Sequence, residues 1–154
     1  MPVLDVTNKL IVNYDARKWC TLPYPGHSKG CPNFGRKSSC PPQAPLIADW
    51  LKSGGGCLRL VYVSFDLQAH ADRMLTAHPS WSERQARCLL YWQSKVNKRL
   101  ESEVLHFTTV GISEVSYCPE AMGVDVMSTA GLAGIPIEVR PKKIVHKIAL
   151  LKDK

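Results

Sequence analysis

The spacing of apolar and polar positions predicts five strands along the chain. Residues 57–65, CLRLVYVSF, form the clearest one, because β-branched and aromatic residues dominate a nearly continuous apolar run. Such a run is typical of a central strand that is buried on both faces. Shorter apolar runs predict strands at residues 9–15 and 106–112, and residues 135–140 and 143–151 predict an antiparallel hairpin.

Helical spacing predicts four helices between these strands. Residues 46–52 form a short helix that follows a proline, and Asp66 can cap a helix that reaches about residue 77. A capping-box pattern that starts at Ser82 predicts a long helix to about residue 103, and residues 119–130 predict the last one. The buried face of the long helix is predicted to comprise Ala86, Leu89, Leu90, Val96, Leu100 and Val104.

These elements alternate without a strict β-α-β rhythm, which favours the α+β class. We expect a single mixed sheet with helices packed on one side of it. The chain has 154 residues, of which 45% are apolar, so it is large enough to bury a core of its own. Residues 1–154 are therefore predicted to form one domain.

Residues 19–45, WCTLPYPGHSKGCPNFGRKSSCPPQAP, do not fit this periodic pattern. The segment has one aliphatic position, Leu22, and carries three thiols, Cys20, Cys31 and Cys40, among glycines, prolines and small polar residues. Burial cannot order so polar a segment, and loops of this length are typically functional or disordered. We expect a metal to supply the missing stabilisation.

The expected compartment decides how the six cysteines are interpreted. No apolar run approaches the roughly 20 residues that span a bilayer, and MPVLDVTNKL at the N-terminus lacks the layout of a secretory signal. We therefore expect a cytoplasmic protein that does not enter the membrane. In that compartment thiols stay reduced, which favours metal or catalytic roles over disulfides.

The formal net charge of +7 fits an anionic partner such as nucleic acid or a phosphorylated ligand, although solubility alone explains it equally well. Trp19, Tyr24 and Phe34 lie beside basic residues and are candidates for stacking on unpaired bases. The basic candidates for contact with an anionic substrate, RNA or DNA are Lys18, Lys29, Arg36, Lys37, Arg84, Arg87, Lys95 and Lys98.

Thiolates are soft ligands that select zinc, copper(I) or iron–sulfur clusters. The spacing Cys-x10-Cys-x8-Cys is wider than that of zinc knuckles and bacterial ferredoxins, and it suits a bulky cluster wrapped by a loop. Glycines at positions 26, 30 and 35 would let backbone amides approach the sulfides of such a cluster. His27 offers the alternative of a zinc site with three cysteines and one histidine.

Two stretches resemble a widespread family of uncharacterised, predicted metal-binding proteins of the iron–sulfur type. Cys31-Pro-Asn-Phe-Gly-Arg and the following Cys40-Pro-Pro resemble the family's core. Residues 120–126, EAMGVDV, with Thr129 resemble its C-terminal signature. In many relatives another cysteine precedes the one matched by Cys31 by three residues, whereas this chain has Ser28. The resemblance implies a metal site, with Cys20 in place of the missing ligand.

Cys118 is the first candidate for a fourth ligand, because it precedes Pro119 at a predicted helix start beside the second matching stretch. Cys57 is a weaker candidate, and Cys88 is predicted to be a small core residue. Without a fourth ligand, one iron of a four-iron cluster would stay open as a Lewis acid. Glu120 and Asp125 are candidates for a general acid or base, although helix capping explains Glu120 equally well.

The hypothesis that combines these observations is a [4Fe-4S] protein with a redox or sulfur-handling role. Its cluster would be held by Cys20, Cys31, Cys40 and Cys118 or would keep an open iron. One alternative is a zinc-stapled module that binds nucleic acid through the basic long helix. Another is a structural metal that supports a protein-interaction surface.

Overall fold

The computed structural model describes residues 3–22, 30, 35–36, 38, 40–52, 56–108, 113–138 and 141–153, with the side chains of Cys20 and Ser113 outside the description. All structural statements below concern these residues.

Four strands form one sheet in the order β1-β2-β4-β3. They are β1 (Val3–Asp5), β2 (Leu58–Asp66), β3 (Ser113–Ser116) and β4 (Ile144–Asp153), and every pair is antiparallel. In this register Val61 lies opposite Ala149. The α+β class and the interior position of the predicted strand 57–65 are thus confirmed, and the sheet is antiparallel rather than mixed.

Eight helical segments accompany the sheet in the described part of the chain. The α-helices are α1 (Ile47–Trp50), α2 (Leu67–Ala77), α3 (Glu83–Ala86), α4 (Gln93–Phe107) and α5 (Val126–Leu132). Three 3-10 helices are named by position: N-terminal (Tyr14–Thr21), middle (Leu89–Tyr91) and C-terminal (Pro119–Met122). None of the described helices is long and apolar enough to cross a membrane.

Helices cover both faces of the sheet, which corrects the expectation of helices on one side. Alternate residues of β2 point to opposite faces. On the α4 face, Val61 and Val63 pack with residues of α2 and α4. On the loop face, Leu58 and Leu60 pack with residues of α1, the C-terminal 3-10 helix and α5.

The predicted long helix is interrupted between Arg87 and Gln93. Trp92 explains the break: its indole Nε1 donates to the carbonyl of Arg87 at 3.1 Å, and its ring is buried and stacked on Phe65 at 5.1 Å. This indole takes the core place that periodicity assigned to Leu90, whose side chain is 87% exposed. Four predicted core positions are buried as expected: Ala86, Val96, Leu100 and Val104.

Both predicted helix caps are confirmed. The Asp66 carboxylate accepts a hydrogen bond from the Ala69 amide at 2.9 Å at the start of α2. The Ser82 hydroxyl accepts from the Gln85 amide at 3.1 Å at the start of α3.

Three predicted strands are corrected where they are described. In residues 9–15 a single bridge joins Val12 to Val124 and is followed by the N-terminal 3-10 helix. Residues 106–107 belong to the end of α4, and residues 109–112 lie outside the description. Residues 135–138 form no strand, and β4 pairs with β2 and β3 instead of completing a hairpin.

The predicted helix over residues 119–130 is divided at Gly123. The backbone of Gly123 has a φ of +98°, in the left-handed region that favours glycine, and it ends the C-terminal 3-10 helix. A new helix, α5, then begins after Asp125.

Candidate metal site

The described residues include only part of the predicted ligand set. The side chains of Cys40 and Cys118 are described, and the backbone of Cys20 belongs to the N-terminal 3-10 helix. Cys31 lies outside the description, as do Tyr24, His27, Ser28, Lys29, Phe34 and Lys37. Across the described ranges no group of three or more histidine, cysteine and acidic side chains could hold a metal ion. The complete ligand set stays a prediction.

Arg17 joins the chain segments that carry three of the predicted ligands. It lies in the same 3-10 helix as Cys20, and its Nε donates to the carbonyl of Ala121 at 2.9 Å, in the helix that follows Cys118. Its Nη2 donates to the carbonyls of Pro42 and Ala44 at 3.2 and 3.4 Å, in the turn that follows Cys40. One guanidinium therefore links three segments that are distant in sequence, a task for which its planar fork of donors is suited.

The segment after Cys40 is a turn closed by its own main chain. The Cys40 carbonyl accepts a hydrogen bond from the Ala44 amide at 2.8 Å, and the Cys40 side chain is partly buried. The Gln43 side chain donates to the carbonyl of Gly35 at 2.6 Å, which ties the turn to the preceding loop. The turn after Cys40 is thus held by its own main chain, by Gln43 and by Arg17.

Residues 11–14 run against residues 123–125 and hold the N-terminal 3-10 helix near Cys118. The Asn13 amide donates to the Gly123 carbonyl at 2.7 Å, and the Asp125 amide donates to the Ile11 carbonyl at 2.9 Å. A Cβ at position 123 would lie 2.4 Å from the ring of Tyr14. This close approach explains physically why the second matching stretch contains a glycine.

Asp125 and Thr129 have structural roles in the same junction. The Asp125 carboxylate caps α5 by accepting from the amide and the hydroxyl of Ser128 at 3.0 and 2.8 Å. Thr129 is fully buried, and its hydroxyl accepts from the Ile11 amide at 3.0 Å. Capping accounts for Asp125 without chemistry, and its role as an acid or base stays a prediction.

Cys118, Glu120 and Lys147 form a cluster of titratable side chains where the C-terminal 3-10 helix begins. Burial raises the pKa of Glu120; a main-chain hydrogen bond, the charge of Lys147 and a side-chain hydrogen bond with Cys118 oppose this shift. Burial lowers the pKa of Lys147, against the charges of Glu120 and Cys118. A thiol, a carboxyl and an amine thus influence one another there.

Sequence reasoning missed Lys147. The signal that could have found it is the polar pair His146-Lys147 within the otherwise apolar run of β4. A lysine inside an interior strand needs an anionic partner or access to water.

The other two described cysteines lie elsewhere. Cys57 is exposed just before β2, where its carbonyl accepts from the Asp153 amide at 3.0 Å. Cys88 is partly buried at the break before the middle 3-10 helix, rather than on a continuous helical core face. Both are thiols in the structure.

Comparisons with protein-family models, with curated proteins and with solved structures found no match. The family resemblance of the two cysteine-proline stretches and the later EAMGVDV stretch therefore rests on those residues themselves.

Proposed function

We propose that this protein binds a metal centre at the junction around Arg17, and that the centre is a [4Fe-4S] cluster held by Cys20, Cys31, Cys40 and Cys118. The observation that carries the proposal is the set of Arg17 hydrogen bonds to the segments after Cys40 and Cys118. These bonds bring three cysteine-bearing segments that are separate in sequence to one side chain, above the apolar core that Ile47 and Met122 share.

The described residues at the junction are chemically suited to an anionic centre. Thiolates carry negative charge, and the Arg17 guanidinium supplies a cation beside the segments concerned. Gly35 has a φ of +74° and lacks a Cβ, so the backbone can approach a bulky group closely. Main-chain amides at such positions donate to cluster sulfurs and adjust the reduction potential.

A cluster with all four cysteine ligands would supply electron transfer, whereas a cluster with an open iron in place of the fourth ligand would supply a Lewis acid; these correspond to the redox and the sulfur-handling roles that we propose. The chain itself would orient an anionic substrate. Two basic side chains near the predicted site, Lys18 and Arg36, are exposed to solvent. The proposal includes a cytoplasmic location, where cysteines remain available as ligands.

The test is to purify the protein without oxygen, record its visible spectrum and measure iron, sulfide and zinc per chain. We expect broad visible absorption with about four irons and four sulfides per chain. Cys31→Ser should abolish metal binding and leave residues 19–45 sensitive to protease, because metal binding and folding of such a loop are coupled. Cys88→Ala is the matched control and should keep the full metal content.

Two results would change the proposal in different ways. A colourless protein with about one zinc per chain would contradict the cluster and retain the site, as a zinc centre. Full metal occupancy in Cys31→Ser would contradict the site itself.

A further inference from the structure

The break between α3 and α4 exposes a column of aromatic rings. Leu90 and Tyr91 lie on the middle 3-10 helix, and Tyr91 is 45% exposed. The Tyr91 ring stacks on Trp81 at 5.0 Å, and Trp81 stacks on His78 at 4.1 Å with an interplanar angle of 12°. This packing fixes the Tyr91 ring from behind and leaves part of it open to solvent.

An open groove of about 530 Å³ begins at Leu90 and Tyr91 and continues along α4. Its further lining includes Lys95, Lys98 and Arg99. Residues spaced by three and four positions lie on one face of a helix, so these three cations form a single row. The groove therefore has an apolar and aromatic end and a cationic wall that extends over about one helical turn.

The charge of the groove is largely uncompensated. Within the described parts of the chain, Lys95 and Lys98 form no ion pair. One Arg99 nitrogen donates to the Ser64 carbonyl at 3.2 Å, which orients its guanidinium without neutralising it. Arg87, by contrast, is paired with Glu83 and is not part of the lining.

We propose that this groove binds a single-stranded nucleic acid, with a base stacked on Tyr91 and successive phosphates against Lys95, Lys98 and Arg99. A single strand presents both the base face and the phosphates, whereas a duplex hides its base faces. An acidic peptide would use the cations and leave the oriented ring without a partner. The assignment goes beyond the proposed metal site: it names a second site on the protein, for RNA or DNA, and it does not depend on the metal.

The inference moves the stacking residue away from the cysteine loop. Trp19, Tyr24 and Phe34 were the aromatic candidates from sequence. Of these, only Trp19 lies in a described segment, where it is partly buried in the N-terminal 3-10 helix. The sequence predicted one continuous helix through this region, and such a helix gave no indication that Tyr91 lies beside the cationic row.

The test measures binding of fluorescently labelled single-stranded oligouridylate and oligothymidylate by anisotropy at two salt concentrations. We expect either or both probes to bind, with an affinity that falls as salt rises, and a duplex of equal length to bind more weakly. Tyr91→Ala should weaken binding about tenfold or more, while Tyr91→Phe should retain it, because a base stacks on either ring. Lys95→Ala/Lys98→Ala should reduce the salt dependence by about 0.7 per lost phosphate contact.

Lys142→Ala/Lys143→Ala is the matched control, since both side chains are exposed and the net charge falls by the same amount. An equal loss in this control, or tighter binding of the duplex, would overturn the proposal. So would binding of acidic peptides or anionic vesicles without binding of oligonucleotides.

Metal content measured on the same samples separates the two proposals. A protein that carries metal but does not bind oligonucleotide overturns the groove alone. A protein that binds oligonucleotide through Tyr91 but carries no metal overturns the metal site alone.

Discussion

On the α4 face, Val96, Leu100 and Val104 pack along successive turns of one long helix against the sheet. On the loop face, the helical segments are short, and polar side chains such as Arg17 and Lys152 join them to one another and to the sheet. Apolar packing tolerates substitutions of similar volume, whereas a single polar link fixes a single geometry. Both faces bury an apolar core, and on the loop face polar links also fix the positions of the short segments.

Lys152 offers the largest test of this difference. It is 1% exposed on β4, its ammonium lies 3.3 Å from Glu114 and 4.5 Å from the centre of the Trp50 ring, and it also donates to the Trp50 carbonyl. Lys152→Ala should lower the free energy of unfolding by about 3 kcal/mol, because it opens a cavity and leaves the partners unmatched. Denaturant unfolding measures the loss.

The control for this prediction is Lys52→Ala. Lys52 forms an exposed pair with Asp49 at 3.0 Å, so its loss should cost less than about 1 kcal/mol. Equal losses of unfolding free energy in Lys152→Ala and Lys52→Ala would show that the buried pair of Lys152 and Glu114 does not stabilise the loop face.

The substitution Gly123→Ala should cause the next largest loss of stability. Gly123→Ala places a Cβ 2.4 Å from the Tyr14 ring at a φ of +98°, so we expect a loss of about 2 kcal/mol, measured by thermal unfolding. The ring would be displaced and the junction around residues 11–14 loosened.

Two other glycines separate the cost of backbone strain from the cost of contact with Tyr14. Gly134→Ala has a φ of +101° with no neighbour within 4 Å, so it should show the backbone strain alone, about 1 kcal/mol. A Cβ at position 131 in α5 would have no neighbour within 4 Å, so Gly131→Ala should leave the stability unchanged or increase it. If Gly123→Ala costs no more than Gly134→Ala, contact with Tyr14 is not important.

The smallest predicted change in stability is on the α4 face, where it depends on pH through His70. His70 is buried on α2, and its Nε2 has no hydrogen-bond partner among the described residues. Burial lowers its pKa, and the charges of Arg73 and Lys95 lower it further. The unfolded state thus binds a proton more readily than the folded one. The stability that neutral His70 contributes is present above about pH 6.5 and is lost as the pH falls through the folded pKa.

We therefore expect the melting temperature to decrease between pH 7.5 and pH 5.5, and to decrease less in His70→Leu. Parallel profiles for the two proteins would show that His70 does not cause the dependence.

The same comparison explains which features could be predicted from the sequence. The strand 57–65, the helix after Asp66 and the cap at Ser82 follow local patterns that decide structure on their own. The break before α4 was missed because the Trp92 indole binds the Arg87 carbonyl, a contact that apolar periodicity does not encode.

On the loop face, most features that the sequence did not predict depend on contacts between segments that are distant in sequence. The apolar residues of segments 9–15 and 135–138 resemble strands, but Leu10, Ile135 and Ile137 pack against the loop-face core without a pairing strand. Lys152 is a buried cation whose partner, Glu114, comes from another segment. Cysteine spacing could indicate a metal, whereas the link between the Cys40 and Cys118 segments required the position of Arg17.

Cys118 is the predicted ligand that lies farthest in sequence from the cysteine loop, so its contribution to metal binding tests the central claim most directly. The measurement is iron, sulfide and zinc per chain in Cys118→Ser and Cys57→Ser, each purified without oxygen beside the unmodified protein. We predict that Cys118→Ser loses most of its metal and that Cys57→Ser, an exposed cysteine outside the junction, keeps it. Full metal content in Cys118→Ser would contradict the claim that the segments joined by Arg17 form one site.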